Sequence, residues 1–286
     1  MKNREKIGFY FVLPWIIGLL VFTLVPMIAA VFIGFTDWSI VGSNIRWVGL
    51  ANYQEIFKSE QFWHSLWITF RFAIISIPLV VFTSFVISVM LSKNIKAVGV
   101  YRIIYYMPAI VSGVAVSIVF RWILDPNNGL INLVLSWIGI KGPNWLYDPE
   151  WVLPSYLIMS LWGAGGGILT YLSALKDVPT SLYESADMDG ANYLQKTFYI
   201  TVPMMTPIIF YNLIIGIISA FRKFTDAYVL GGAGGEGEFY MVHLYEQAFA
   251  HYKMGYATAL AWILFIIIMF FTVIVNITRK YWVHTE

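Results

Sequence analysis

P-T-S-L-Y-E-S-A-D-M-D-G-A-N-Y-L-Q-K-T-F-Y-I-T-V-P-M-M-T-P, from Pro179 to Pro207, is a polar, turn-bearing stretch in a chain that is otherwise mostly apolar. Ser181 followed by Glu184 has the spacing of a capping box, which predicts a short helix from about Leu182. Asp189-Gly190 ends that helix, and Asp189 is a candidate cap for a second one. Leu182, Ala186, Gly190, Leu194 and Phe198 fall four apart, a face that is small in the middle and apolar at both ends. Small residues let another surface come close. The pattern alone fits equally a helix lying on the chain's own neighbouring segments and a helix offered to a partner.

Working outward, the rest of the chain reads as membrane protein. Of 286 residues 59% are hydrophobic and only 12% charged, too few charges to cover a soluble globule of this length. The apolar runs are long and contain Gly and Pro, which suits spanning helices and not the ten-residue alternation of a membrane barrel. The class expected is therefore an all-α integral membrane protein. A net charge of +2, with basic residues scattered between the runs, gives no footprint for nucleic acid. The absence of cysteine excludes disulfides and thiolate chemistry.

Six runs are long enough to cross a bilayer, at about 9–35, 66–91, 103–124, 152–175, 202–221 and 256–277. The first follows the basic start M-K-N-R-E-K and lacks a cleavage site, so it reads as a retained span. The order is then a cytoplasmic N-terminus over 1–8, a membrane domain over 9–277 and a cytoplasmic tail over 278–286. Residues 37–65 read as a polar, aromatic loop, residues 125–151 as a turn-rich loop, and Tyr240 to Tyr252 as an amphipathic segment. Lys2, Arg4, Lys6, Lys93, Lys96, Arg102, Lys176, Lys196, Arg279 and Lys280 all fall on one side of this arrangement, which puts both termini and the 181–199 stretch in the cytoplasm. Trp15, Trp67, Trp151 and Trp282 stand near span ends, where interfacial anchors belong.

The residues E-S-A-D-M-D-G-A followed by I-T-V-P resemble the signature of permease subunits in binding-protein-dependent ABC importers. Glu184, Ala186, Gly190, Ile200 and Pro203 stand at the signature's positions, with Ser185 and Val202 as mild departures. Further similarity lies in Gly49 to Tyr53, Trp122 to Gly129, Ser173 to Pro179 and Lys253 to Leu260, so it covers nearly the whole chain. The chain resembles the six-span carbohydrate permease group typified by maltose and glycerol-3-phosphate importers. That resemblance implies a type I importer permease fold and a cell membrane of bacterial or archaeal origin. It also implies a second permease chain that makes a heterodimer with this one, two ATPase subunits carrying ATP and Mg, and an extracytoplasmic solute-binding protein. It further implies that 181–199 forms coupling helices, with Leu182, Glu184, Ser185, Ala186, Asp189, Gly190, Ala191, Leu194, Ile200 and Pro203 at the ATPase contact.

No cofactor is expected in this chain: there is no G-x-x-x-x-G-K-[ST], and the glycine run Gly231 to Gly237 leads to Glu238-Phe239 with no lysine to reach a phosphate. That run reads as a flexible external loop, and its G-G-A-G-G departs from the family's usual T-G-G-P. A secondary transporter is the alternative within transport, but it calls for acids or histidines inside the spans, and the six runs hold none. Arg71 lies near a span end, where it can snorkel. His64, His243, His251 and His284 lack ligand spacing, and no nucleophile set is visible, so neither a metal site nor an enzyme is expected. Trp162 and four glycines among Gly163 to Gly167 mark a place where span four packs closely or opens. By the family's maltose-type site, the resemblance implies a substrate path along Met159, Trp162, Gly163, Gly166, Gly216, Ala220 and Lys223. Arg222 and Lys223 fit either an acidic or phosphorylated cargo or a span-end anchor. The cargo implied is an oligosaccharide first, a glycerophosphate second.

Overall fold

A computed structural model describes residues 2–42, 45–92, 98–232 and 235–284, with backbone only over 2–10. Lys93 and Lys96 of the expected cytoplasmic turn, and Ala233-Gly234 of the glycine run, lie outside these residues. The described chain is helical, with one isolated bridge between Thr36 and Trp47. In chain order the helices are α1 (Lys2–Leu19), α2 (Val25–Ile33), α3 (Ala51–Lys58), α4 (Glu60–Leu91), α5 (Val98–Ile110), α6 (Gly113–Ile123), α7 (Leu130–Trp137) and α8 (Pro149–Trp162). They continue as α9 (Gly165–Leu175), α10 (Thr180–Met188), α11 (Tyr193–Lys196), α12 (Val202–Phe221), α13 (Thr225–Leu230), α14 (Tyr240–Tyr245) and α15 (Met254–Trp282).

Four helical stretches are long and apolar enough to cross a membrane: Phe11–Ile33, Glu60–Leu91, Tyr193–Leu230 and Met254–Trp282. Two bent pairs bring the total to six if each pair is one span. The expected span over 103–124 is not one straight helix. It is α5 and α6, which meet at 103° across Val111–Ser112. Pro108 lies just before the corner, and Ser112 takes an extended ψ of 132°, which no helix can continue through. The expected span over 152–175 bends by 42° between α8 and α9, where the glycine run starts. Elsewhere π-helical turns at Leu20–Leu24 and Thr197–Thr201 run without a break into helices with proline in their first turn, so the wider turn stands where proline cannot donate the regular helical bond.

The chain divides into two compact units. The first joins Met1–Trp63 with His243–Ile266. Its expected loop over 37–65 is more ordered than its polarity suggests, because it contains α3 and the start of α4. The buried Asn52 explains this: its Nδ2 donates to the carbonyls of Gly34, at 2.9 Å, and Thr36, at 2.8 Å. Nearby, a Cβ on Gly255 would sit 2.0 Å from the Thr36 carbonyl, so α15 can approach only at a glycine. Arg46 donates its backbone N–H (2.7 Å) and its Nε to Asp37, and this holds the Asp37 carboxyl below the usual carboxylate range, the backbone bond being the larger cause.

The second unit joins His64–Val242 with Ile267–Glu286. Within it α4 is sewn to α9 by buried serines: Ser84 Oγ donates to the Ala164 carbonyl at 3.3 Å and Ser88 Oγ to that of Ile168 at 2.9 Å. The glycine run explains how the helices come so near. A Cβ on Gly165 would lie 2.3 Å from the Tyr105 carbonyl, and one on Gly167 3.1 Å from Ser84 Oγ. Leu91, Ile168 and Leu172 close one apolar cluster, and Tyr171, Val178 and Met205 a second.

Candidate functional site

The 181–199 stretch is two short helices, as its pattern predicts, but built with different caps. α10 starts at Thr180 with Pro179 in the cap position, and Ser181 caps nothing. The S-x-x-E spacing therefore falls inside the helix: Pro179, with φ fixed near −58°, starts it two residues earlier than expected. Asp189 ends α10 instead of capping α11. The cap of α11 is Asn192, whose Oδ1 accepts from Gln195 N at 2.9 Å while Gln195 Oε1 accepts from Asn192 N at 2.7 Å. Gly190 between them has φ +74°, the left-handed region, so Leu182 through Phe198 is not one continuous helical face.

Inward and outward sides of the hairpin are distinct. Tyr183 shares a 2.9 Å hydrogen bond with Thr201 Oγ1 and packs with Ile200 against Tyr171, Val178 and Met205. Lys196 Nζ reaches Asp187 Oδ1 at 2.6 Å, tying α11 back to α10. Leu182, Glu184, Ser185, Asp189, Gly190 and Leu194 are exposed, and Ala186, Ala191, Ile200 and Pro203 are half-buried. Met188 is 89% and Tyr199 81% exposed, so the hairpin presents large apolar side chains with no cover from this chain. A Cβ on Gly190 would meet nothing within 4 Å, so the glycine serves its φ and leaves its outer face open.

Two cavities share Ser160, Gly163 and Lys223. The larger, about 460 Å³, has Gly163, Gly166, Gly216, Ala220 and Lys223 in its wall, and the other, about 290 Å³, has Met159, Trp162, Gly163 and Lys223. Every residue of the expected path thus lines one or both. Gly163 and Gly166 differ from Gly165 and Gly167 in the space around them: a Cβ on either of the first two would meet nothing closer than 3.6 Å, whereas Gly165 and Gly167 pack against neighbours, Gly167 while also lining the larger cavity. Trp162 meets Phe120 edge to face at 5.5 Å between centroids.

The spacing of residues did not point to the polar lining, Ser76, Ser160, Thr170 and Asn212, nor to the surroundings of Lys223. Lys223 is no free anchor at a span end. Its side chain is 9% exposed, it pairs with Asp226, and Nζ lies 4.6 Å from the Phe72 ring centroid, 5.1 Å from Tyr156 and 5.9 Å from Phe239. Asp226 three residues on was the one readable signal. Arg71 pairs with Glu236 of the glycine-rich loop. Tyr156 Oη donates to the Gly231 carbonyl at 2.6 Å, so the described part of that loop is held at both ends and is not the free loop its glycines predict. Among the described residues no group of histidines and acids could hold a metal.

Residues 88–283 match the family model of the binding-protein-dependent transport system inner membrane component. The chain is 40% identical to the probable ABC transporter permease protein YesP of Bacillus subtilis, over all of this chain and 94% of that one. It is 30% identical to the arabinooligosaccharides transport system permease protein AraP of the same organism, over 93% and 86% of the two chains. Among solved structures, a chain of a bacterial ABC transporter involved in the import of the acidic polysaccharide alginate superposes with a TM-score of 0.87, at 25% identity, over 98% of this chain and 96% of that one.

Proposed function

Because the chain belongs to the family of binding-protein-dependent transport system inner membrane components, and so is a permease subunit of an ABC importer and not an enzyme, we propose that its cargo is an oligosaccharide moving through the cavities that meet at Gly163 and Lys223. The observation that carries this reading is the shared wall: Met159, Trp162, Gly163, Gly166, Gly216, Ala220 and Lys223 come from α8, α9, α12 and the turn after it, yet converge on two adjoining spaces. Aromatic faces beside hydroxyl and amide groups suit sugar rings, which present apolar faces and polar rims. The names of AraP and of the alginate importer point to the same cargo class.

The chain works as one permease of a pair, most simply beside a different chain, in the cell membrane of a bacterium or archaeon. All six runs span, both termini face the cytoplasm, and the α10–α11 hairpin docks on an ATPase subunit. Two such subunits carry ATP and Mg, and a solute-binding protein delivers cargo from outside. Nucleotide binding moves the docked hairpin, and α12, continuous with it through the π-helical turn, carries the motion to the cavity wall. Uptake by proteoliposomes holding the complete importer tests the path. Trp162→Ala lowers uptake by roughly two- to tenfold, the loss of one aromatic contact, with assembly unchanged; unchanged uptake overturns the path.

A further inference from the structure

A third cavity, of about 510 Å³, lies on the inward side of the α10–α11 hairpin, between it and the ends of α4, α5 and α9. Its wall includes Arg102, Lys176 and Lys196 and, among the described residues, no acidic one. Six hydroxyl-bearing residues also line it, among them Thr180, Tyr183 and Thr201. The three cations are only partly paired. Lys196 has Asp187, but Lys176 makes no ion pair among the described residues, and Arg102 uses one guanidinium nitrogen on the Leu91 carbonyl at 3.3 Å. Arg102 Nε is shielded from water and has no acceptor among the described residues. A shielded guanidinium donor lacking an acceptor costs free energy, and a planar Arg fork is matched by a phosphate or carboxylate.

We propose that this cavity binds a phosphate group, supplied by the headgroup of an anionic lipid or by free phosphate. The inference rests on the membrane orientation stated above, which sets the cavity at the inner leaflet, where basic pockets between helix ends meet anionic headgroups. A phosphate there bridges Arg102 on α5, Lys176 after α9 and Lys196 on α11. It therefore ties the hairpin to the helix ends it must move with.

The test uses the full chain with its co-purifying subunits in nanodiscs, either of phosphatidylglycerol mixed with phosphatidylcholine or of phosphatidylcholine alone. Native mass spectrometry after extraction counts retained phosphatidylglycerol, and labelled inorganic phosphate is added to the phosphatidylcholine discs. Lys176→Gln and Arg102→Gln each weaken retention by about fivefold, and Lys176→Arg restores it. Lys176 is exposed, so its substitution leaves the fold intact if Arg102→Gln does not. Phosphatidylglycerol retained from the mixed discs identifies a lipid source, and labelled phosphate bound in the phosphatidylcholine discs with no phosphatidylglycerol retained from the mixed ones identifies the free anion. Neither ligand bound, or retention indifferent to Lys176→Gln and Arg102→Gln, overturns the site. Uptake is recorded in parallel, so failed transport with the lipid still retained counts against the function and not against the cavity.

Discussion

Lys223 shows how one residue can carry two demands. Its ammonium is removed from water and compensated by Asp226 and by the faces of Phe72, Tyr156 and Phe239, yet it still edges both cavities. Breaking only half of such a pair strands a charge, whereas removing both halves removes the desolvation cost as well. Asp226→Asn is therefore expected to destabilise the purified protein by about 3 kcal/mol, and Lys223→Met combined with Asp226→Leu by less. A thermal melt of the two variants in detergent checks the order; a double variant worse than the single one contradicts it. The sequence made Lys223 conspicuous as a lysine beside an apolar run, but its rings come from residues 72, 156 and 239, separations that no local pattern can reveal.

At the scale of elements the hairpin depends on a cap and a left-handed glycine. The Asn192–Gln195 box satisfies the first donors of a helix only four residues long, which has little stability of its own. Asn192→Ala is expected to cost about 1 kcal/mol locally. Hydrogen exchange should quicken at Gln195 and Lys196 while α12 stays protected; unchanged exchange there contradicts the cap's role. The position of the hairpin was readable because Asp189-Gly190 is a strong break. Its caps were less so, since Ser181, Asp189 and Asn192 are all good N-cap types and only the backbone's course decides which one sits at a helix start. The same limit explains the bent pairs. A run of apolar residues reports length and burial, and Pro108 or Gly163 marks where a bend is permitted, but the angles of 103° and 42° arise from packing such as that of Gly165 against Tyr105.

Across the whole molecule, the long apolar runs and the E-S-A-D-M-D-G-A segment were enough to identify an importer permease, because both features span many residues and each constrains the other. What they left open was how the cavity walls are assembled, for these combine α4, α8, α9 and α12. In the proposed function the hairpin's outer face, bare in this chain, transmits the ATPase cycle to those walls. Gly190 allows a clean test: aspartate tolerates the left-handed φ that a β-branched residue resists, and a Cβ there meets no atom of this chain within 4 Å. Gly190→Asp therefore adds less backbone strain than Gly190→Val and chiefly alters what the hairpin offers a partner, and hydrogen exchange over α10 and α11 close to that of the unaltered chain checks that the hairpin stays folded. The direct measurement is cargo-stimulated ATP hydrolysis by the reconstituted importer carrying Gly190→Asp. Normal insertion in the membrane with the stimulation lost is expected; stimulation equal to that of the unaltered importer would contradict a coupling role for the hairpin.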